Sequence, residues 1–459
     1  MKMFDYPLIE KYNIRGPRYT SYPPATAFKA GLEAETAIDW ILKSNLDEPA
    51  KLSFYFHVPF CPQLCHFCGC NSCSVPRDGG VDRYMEMMIR EMDQVLDLLD
   101  LRRPVTQIHW GGGTPNSIPY RWIEKVMKRL TSRILLSSDA EVAMECNPAY
   151  LTPGQILQLR SMGFNRLSLG IQDFDREVLR AMNRLPSRLP VTELVNRIRK
   201  AGFEGVNLDF IYGLPLQNQQ QFEETIREAI GIRPDRLVTF SYAHVPWVKS
   251  SQQRLEALSI PTGEEKMRML EAAVQLLTDA GYETIGMDHF ALPGDPLGRA
   301  AASGTLHRNF QGYCTRETTG QVYAFGASSI SQLGGAYLQN VREYTDYIRM
   351  MEQDGWAFER GYRLSEQERV IRNSITELMC NGRVGFAAVG ERFGMDAEEI
   401  KRQLGYDPAV FAELEADGLA HAGRDELALT RQGMMLARVV AMKIDPLLEG
   451  DKERFSRTI

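Results

Sequence analysis

The sequence predicts an α/β protein, a partial (β/α)6 TIM-like barrel with an N-terminal arm and a mainly helical C-terminal domain. Three observations carry this. Short apolar runs near 53–58, 105–110, 141–146, 166–170, 206–212 and 236–242 alternate with longer amphipathic stretches such as 81–100 and 190–201, the pattern of strands joined by helical crossovers. The first 35 residues have neither a helical nor a strand period, and after about Arg363 the texture changes to short helices and a turn. The expected organisation is an arm over 1–35, a catalytic domain over 36–364 and a C-terminal winged-helix-like domain over 365–459.

Taken in order, the arm holds Gly16-Pro17-Arg18-Tyr19-Thr20-Ser21-Tyr22-Pro23-Pro24. Two adjacent prolines enforce an extended course there, and the arm is expected to lie over the main domain. The six strand–helix units imply a parallel sheet with right-handed crossovers, closing into an open or partial barrel. Ligands of such sheets gather at the C-terminal ends of the strands. At those ends stand a cysteine cluster after the first strand, Gly111-Gly112-Gly113-Thr114-Pro115 after the second and Glu145 closing the third. Gln172 follows the fourth strand, and Asp209 lies late in the fifth. Near the end of the chain, Gly418 to Thr430 has the look of a small hairpin before a final helix. Helices plus hairpin resemble a winged helix, but no strongly basic recognition helix accompanies them.

Composition narrows the function classes. With 459 residues the chain can bury a sizeable site, and 44% hydrophobic with 24% charged residues is the balance of a globular protein. No apolar run reaches the roughly 18–20 residues of a membrane span, so no membrane partner is expected. A net charge of -6 argues against nucleic acid as a partner. Met1 to Gly16 lacks a basic stretch followed by an apolar one, so no export signal is read and the expected location is cytoplasmic. Five of the eight cysteines lie between Cys61 and Cys73, and such crowding in a reducing compartment points to metal chemistry.

Cys61, Cys65 and Cys68 form a C-x3-C-x2-C core. Three thiolates at this spacing can hold three irons of a [4Fe-4S] cluster and leave the fourth open. A structural zinc site is the alternative, with Cys70, Cys73, His57 and His66 as further ligands. Spacing alone favours iron–sulfur over zinc without removing zinc. Three glycines after the second strand let backbone N–H groups approach a ligand that a Cβ would block, although such a loop by itself is commonly a tight turn.

Cys61, Cys65, Phe67 and Cys68 together resemble the C-x3-C-x-F-C signature of the radical SAM superfamily. Further blocks are Tyr55 to Cys61, His109 to Pro115, Gly163 to Ser168, Gln172-Asp173-Phe174, Asp209 to Pro215, His307 to Tyr313 and the terminal Phe455 to Ile459. With the arm, these blocks resemble the oxygen-independent coproporphyrinogen III oxidases over nearly the whole chain. The resemblance implies a [4Fe-4S] cluster, two S-adenosylmethionine (SAM) molecules and a 5'-deoxyadenosyl radical. It further implies conversion of two propionates of coproporphyrinogen III to vinyl groups in anaerobic haem biosynthesis, giving protoporphyrinogen IX. The partners it implies are that substrate and an electron donor such as flavodoxin or ferredoxin, acting on a monomer. Catalysis would rest on the cluster and SAM rather than on a dedicated side chain.

By matching motif, the resemblance places the Tyr55 backbone, Phe67, Gly112, Gly113, Thr114, Glu145, Gln172, Arg184, Asp209, Ala243 and Ile330 around SAM, with Cys70 near the cluster and not a ligand of it. Each has a bland reading when taken singly: carboxylates at strand ends are commonly solvated, arginines in polar loops are commonly surface charges, and a strand tyrosine commonly packs. Cys73 is a thiol outside the family pattern, and Asn147 stands where an aspartate is expected before Pro148. Arg18, Arg166, Arg308 and His307 are cations available to the substrate's carboxylates. Two rival readings are a haem chaperone paralogue, which carries Phe in place of Cys70 and lacks the long arm, and a zinc-stabilised winged-helix regulator.

Overall fold

The computed structural model describes residues 6–448, so Met1 to Asp5 and the terminal Phe455 to Ile459 block lie outside it. Six strands run parallel in sequence order: β1 (Leu52–Val58), β2 (Pro104–Gly112), β3 (Leu135–Cys146), β4 (Arg166–Gln172), β5 (Gly205–Tyr212) and β6 (Arg236–Ser241). Helices such as Gly80–Leu98, Tyr120–Thr131 and Val191–Lys200 make the crossovers. Each strand alternates. Phe54, Phe56, Ile108, Trp110, Met144, Leu167, Leu169, Leu208 and Phe210 are buried in the main core. The residues between them, Tyr55, His109, Glu145, Ser168, Gln172, Asn207 and Asp209, are only half-buried. The apolar face is therefore spent on packing the helices, and the polar face lines the concave side of the sheet.

The sheet is wider than the sequence pattern indicated. A seventh strand, β7 (Gln321–Phe325), pairs parallel with β1, Ala324 opposite Tyr55. Beyond it come Ile330–Gln332, Ala336–Asn340, Phe358–Arg363 and the two-residue strand Lys29–Ala30, all antiparallel. On the other flank His289–Ala291 and Glu283–Ile285 extend β6 antiparallel, completing a 13-stranded sheet. The sequence pattern predicts no strand between β6 and the C-terminal region. These strands span only 2–6 residues, too few for a period to register.

Under the polar face lies a charge network. Arg166 pairs with Glu141 and Asp295 at 2.9 Å each, and Arg236 pairs with the same two carboxylates at 3.0 and 2.8 Å. Arg166 and Arg236 open their strands, so the network sits at the end of the barrel opposite the site. It holds Glu141 down at about 2, its burial being outweighed by the two guanidinium charges. Gly205 lacks a side chain for a local reason, since a Cβ there would stand 2.3 Å from the Arg166 guanidinium.

A second core gathers Val370, Ile375, Leu378, Phe386, Val389, Ile400, Phe411, Leu427 and Val440. Its small sheet joins Arg383–Gly385, Glu426–Leu429 and Ala420–Ala422, so the expected hairpin is present and gains a third strand. Tyr12, Tyr19 and Tyr22 belong to this core, and the Tyr19 and Tyr22 hydroxyls donate to the two oxygens of Asp445 at 2.9 and 2.8 Å. The arm meets both cores: its tyrosines complete the second one, while the Tyr22 carbonyl accepts from the Tyr337 hydroxyl at 3.0 Å, Phe28 stacks on Tyr337, and Lys29 to Leu32 bond to the Phe358–Arg363 strand. Among the described residues no helix is long and apolar enough to cross a membrane.

Candidate active site

β1 delivers the cysteine loop. Its last residues lead into Phe60–Cys61, which pairs with Cys73–Ser74, so Cys61 is buried while Cys65 and Cys68 are partly open and Cys70 is exposed. The loop is held from two sides. Towards β4, Gln63 Nε2 donates to Asn183 Oδ1 at 2.7 Å and the His66 amide to the Met182 carbonyl at 3.0 Å. Towards β6, the buried Gln252 donates from Nε2 to the carbonyls of Phe67 and Ala243 at 2.9 and 3.2 Å, and Lys249 Nζ donates to the Cys70 carbonyl at 2.8 Å. Gln252 and Asn183 escaped the sequence reading because a lone amide in a loop carries no pattern. Gln252 is the link that brings Ala243 to the cysteine loop.

Each thiol of the C-x3-C-x2-C core has a partner favouring the thiolate. Burial pushes Cys61 up, and the Thr114 hydroxyl at 3.3 Å opposes it. Burial also raises Cys65, opposed by Arg184, whose Nη1 lies 3.7 Å from the sulfur. A hydrogen bond from the Cys70 thiol holds Cys68 down at about 6, helped by the charge of Lys249. Cys70 is driven in the other direction by the same contact. Cys73 is raised to about 11, by burial and then by the neighbouring Cys61. It packs beside the cluster loop without joining the core.

The glycine loop closes over this arrangement. The Gly113 amide donates to the Val58 carbonyl at 2.7 Å and the Thr114 amide to Phe60 at 3.0 Å. A Cβ on Gly113 would stand 3.0 Å from Cys61 Sγ, and Gly112, at φ +113°, would place one 2.8 Å from the His57 ring. His57 is fixed as the Nε2–H tautomer, donating to the Asn71 carbonyl at 3.0 Å, so Nδ1 accepts from the Tyr55 hydroxyl at 3.1 Å. Burial keeps it neutral.

On the polar face, Glu145 Oε1 lies 3.0 Å from His109 Nε2 and Oε2 accepts from the Gly112 amide at 3.3 Å. Burial opposes charge on His109, yet the Glu145 carboxylate outweighs it and leaves the imidazole above its ordinary value. Asp209 accepts from Ser168 Oγ and Asn207 Nδ2 at 2.8 and 2.7 Å, and burial lifts it to about 6. Gln172 turns at φ 71°, and a Cβ on Gly170 would stand 2.7 Å from its Nε2. Thr114 and Arg184 thus reach the thiols directly and Gly113 abuts Cys61, Gln252 joins Phe67 to Ala243, and Tyr55, Glu145, Gln172 and Asp209 stand half-buried on the strands that carry them. Ile330 packs against Phe28 and Tyr337 on the flank beyond β7.

Two of the four available cations are removed. Arg166 is consumed by Glu141 and Asp295 at the far end of the barrel. His307 is pressed down to about 4 by burial, so it is neutral at physiological pH. Arg308 lies 5.1 Å from the Tyr313 ring centroid with Nε and Nη1 buried and unpartnered, and its charge and that of Arg18 both act on Asp288. A cavity of about 1120 Å³ lies elsewhere, between Thr284 to Phe290 and the C-terminal Arg383 and Ala428 to Met435. It contains none of the cysteines between 61 and 73.

Among the described residues no three His, Cys, Asp or Glu converge on a single ion. The donor chemistry fits a [4Fe-4S] cluster on three positive grounds: a thiolate-favouring partner at each of Cys61, Cys65 and Cys68, a glycine where a Cβ would crowd Cys61 Sγ, and an Arg184 whose Nε is buried and unpartnered beside Cys65.

A family model of the radical SAM superfamily matches residues 55–229. The oxygen-independent coproporphyrinogen III oxidase of Synechocystis sp. is 38% identical, over 99% of this chain and 98% of the relative. The Escherichia coli protein of the same name is 36% identical over the same shares. The solved coproporphyrinogen III oxidase of Escherichia coli, described as a radical SAM enzyme, superposes with a TM-score of 0.89 at 34% identity, over 97% of this chain and 99% of that one. Full-length identity at this level, on the same fold and with the cysteine core in place, establishes that the chain belongs to the oxygen-independent coproporphyrinogen III oxidase family of radical SAM enzymes.

Proposed function

We propose that this chain decarboxylates two propionates of coproporphyrinogen III oxidatively, without oxygen, to the vinyl groups of protoporphyrinogen IX in anaerobic haem biosynthesis. The observation that carries the reading is the C-x3-C-x2-C core of Cys61, Cys65 and Cys68 beneath a glycine loop, in a chain that matches the named oxidases end to end. When bound, the cluster and SAM supply hydrogen-atom abstraction from the propionate β-carbon.

The residues of the chain bind and orient. Gly112 and Gly113 expose backbone to SAM, Glu145 and Asp209 offer carboxylates to its ammonium and ribose hydroxyls, and Arg184 offers a guanidinium to its carboxylate. Gln172, Thr114, Phe67, Ala243 and the Tyr55 backbone complete this lining, which we assign to two SAM molecules, Ile330 bordering the more distant one. Arg308, with two unpartnered N–H groups, is our choice of propionate anchor, and Arg18 supplies further positive charge nearby. The eight free cysteines suit a reducing cytoplasm, and we read the chain as a monomer.

The test is an anaerobic assay of the cluster-reconstituted protein with SAM, reductant and coproporphyrinogen III, following protoporphyrinogen IX and 5'-deoxyadenosine together. Both products are expected. 5'-Deoxyadenosine without vinyl product, or tight haem binding without turnover, would overturn the reading.

A further inference from the structure

The outer rim of the cysteine loop carries exposed apolar side chains set in unpaired positive charge. Leu64, the residue before Cys65, is 39% exposed, and Leu185, the residue after Arg184, is 46% exposed. Asn183 brings them to the same rim, its Nδ2 donating to the Leu64 carbonyl at 2.8 Å. Pro62 and Pro186 are exposed beside them.

The charge around this rim is one-sided. Arg176, Arg180, Arg184 and Arg188 recur at every fourth position, with Glu177 the one acid among the residues they span. Arg176, Arg180 and Arg188 are exposed, and none is within ion-pair distance of a carboxylate among the described residues. Elsewhere on the surface Arg83, Arg121, Arg129 and Arg316 each hold one. The concentration stands out in a chain of net charge -6.

Its position is short of the redox centre by one residue on either side. Leu64 is bonded to Cys65, and Leu185 to the Arg184 whose Nη1 lies 3.7 Å from Cys65 Sγ. An apolar centre that sheds water, ringed by cations that steer a partner, is the anatomy of a transient protein contact. Redox encounters need only a small one.

We propose that this rim is the docking surface for a small acidic one-electron carrier protein that reduces the cluster, an inference that rests on the cluster assignment above. The reduced carrier loses one electron and the cluster gains it; no bond forms or breaks and no proton moves. Opposite charge selects an acidic partner, and Leu64 and Leu185 form the apolar seat.

The experiment uses the full chain with its cluster and flavodoxin as the acidic carrier. Cluster reduction is followed anaerobically by loss of its visible absorption, and turnover is measured with flavodoxin and, separately, with dithionite. Arg180→Glu with Arg188→Glu should slow flavodoxin-driven reduction at least about tenfold and flatten its salt dependence, leaving dithionite-driven turnover within about twofold. Leu185→Ser should show the same selectivity with an unchanged salt dependence. Equal losses under both reductants, an unchanged flavodoxin rate, or failure of flavodoxin to reduce the unsubstituted protein would each overturn the proposal. Failure of the oxidase reading gives a different result: a cluster that flavodoxin reduces in a protein that makes no vinyl product.

Discussion

Arg184 places one guanidinium nitrogen 3.7 Å from the sulfur of Cys65 and donates with another to the carbonyl of Gly170. One side chain thereby ties the cysteine loop to β4. Replacing it with glutamine removes the charge that opposes burial at Cys65 and raises that thiol further. Iron content after reconstitution is expected to fall, and SAM affinity to weaken about tenfold, the value of one charge-assisted hydrogen bond. Iron analysis and equilibrium dialysis with SAM check both, and an unchanged value of either would separate Arg184 from that role.

Gly113→Ala tests the loop. Its Cβ would stand 2.7 Å from the Pro59 carbonyl and 3.0 Å from Cys61 Sγ, with backbone on one side and a cluster ligand on the other. A cost of about 1–3 kcal/mol is expected, together with faster cluster loss on dilution. Gly154→Ala is the control, because no atom lies within 4 Å of its Cβ position and a helical site gains up to about 1 kcal/mol from alanine. Urea denaturation of the two variants should move in opposite directions.

The contrast between these two glycines also marks what the sequence could convey. The six parallel strands and the thiol core were legible because alternation and spacing are local patterns, and Phe54-Tyr55-Phe56 or Cys61 to Cys68 display theirs without reference to the rest of the chain. Arg166 was not legible. Its motif offered a cation for substrate, whereas Asp295, its partner, lies 129 residues away. His307 failed similarly, since burial, helped by arginines distant in sequence, sets its protonation. The short strands beyond β6 and β7 owe their existence to the neighbours they pair with.

Asp209 gives the site a pH signature. Burial raises it from 3.8 to about 6, so between about pH 4 and 6 the folded chain holds a proton that the unfolded chain has released. The sign follows: Asp209 lowers stability progressively as pH rises through that window, and the cost persists above it. That rise is worth at most about 3 kcal/mol, and the partial exposure of Asp209 reduces it to roughly 1–2 kcal/mol. Asp209→Asn should therefore raise the melting temperature of the cluster-free protein above about pH 7 and leave it unchanged near pH 3, while weakening SAM binding. Thermal scans at both pH values decide the first point.

Removing one carboxylate from the network below the cleft should act on stability. Asp295→Ala leaves the buried Arg166 and Arg236 sharing Glu141 alone, and an uncompensated buried charge costs about 3–5 kcal/mol. Asp295 also caps the helix that follows it, accepting from the Leu297 amide at 2.8 Å. The midpoint of urea denaturation should drop accordingly, with iron content after reconstitution unchanged because the network lies at the opposite end of the strands.

Tyr19 and Tyr22 meet Asp445 across 426 and 423 residues of chain, and this separation governs the order of events on the ribosome. The arm, among the first segments made, has no acceptor for these two hydroxyls until Asp445 has emerged, so its aromatic rings stay open to chaperones and to aggregation through most of synthesis. A message cut short before Asp445 would yield a barrel able to pack its own helices, with two buried tyrosine hydroxyls left without their carboxylate.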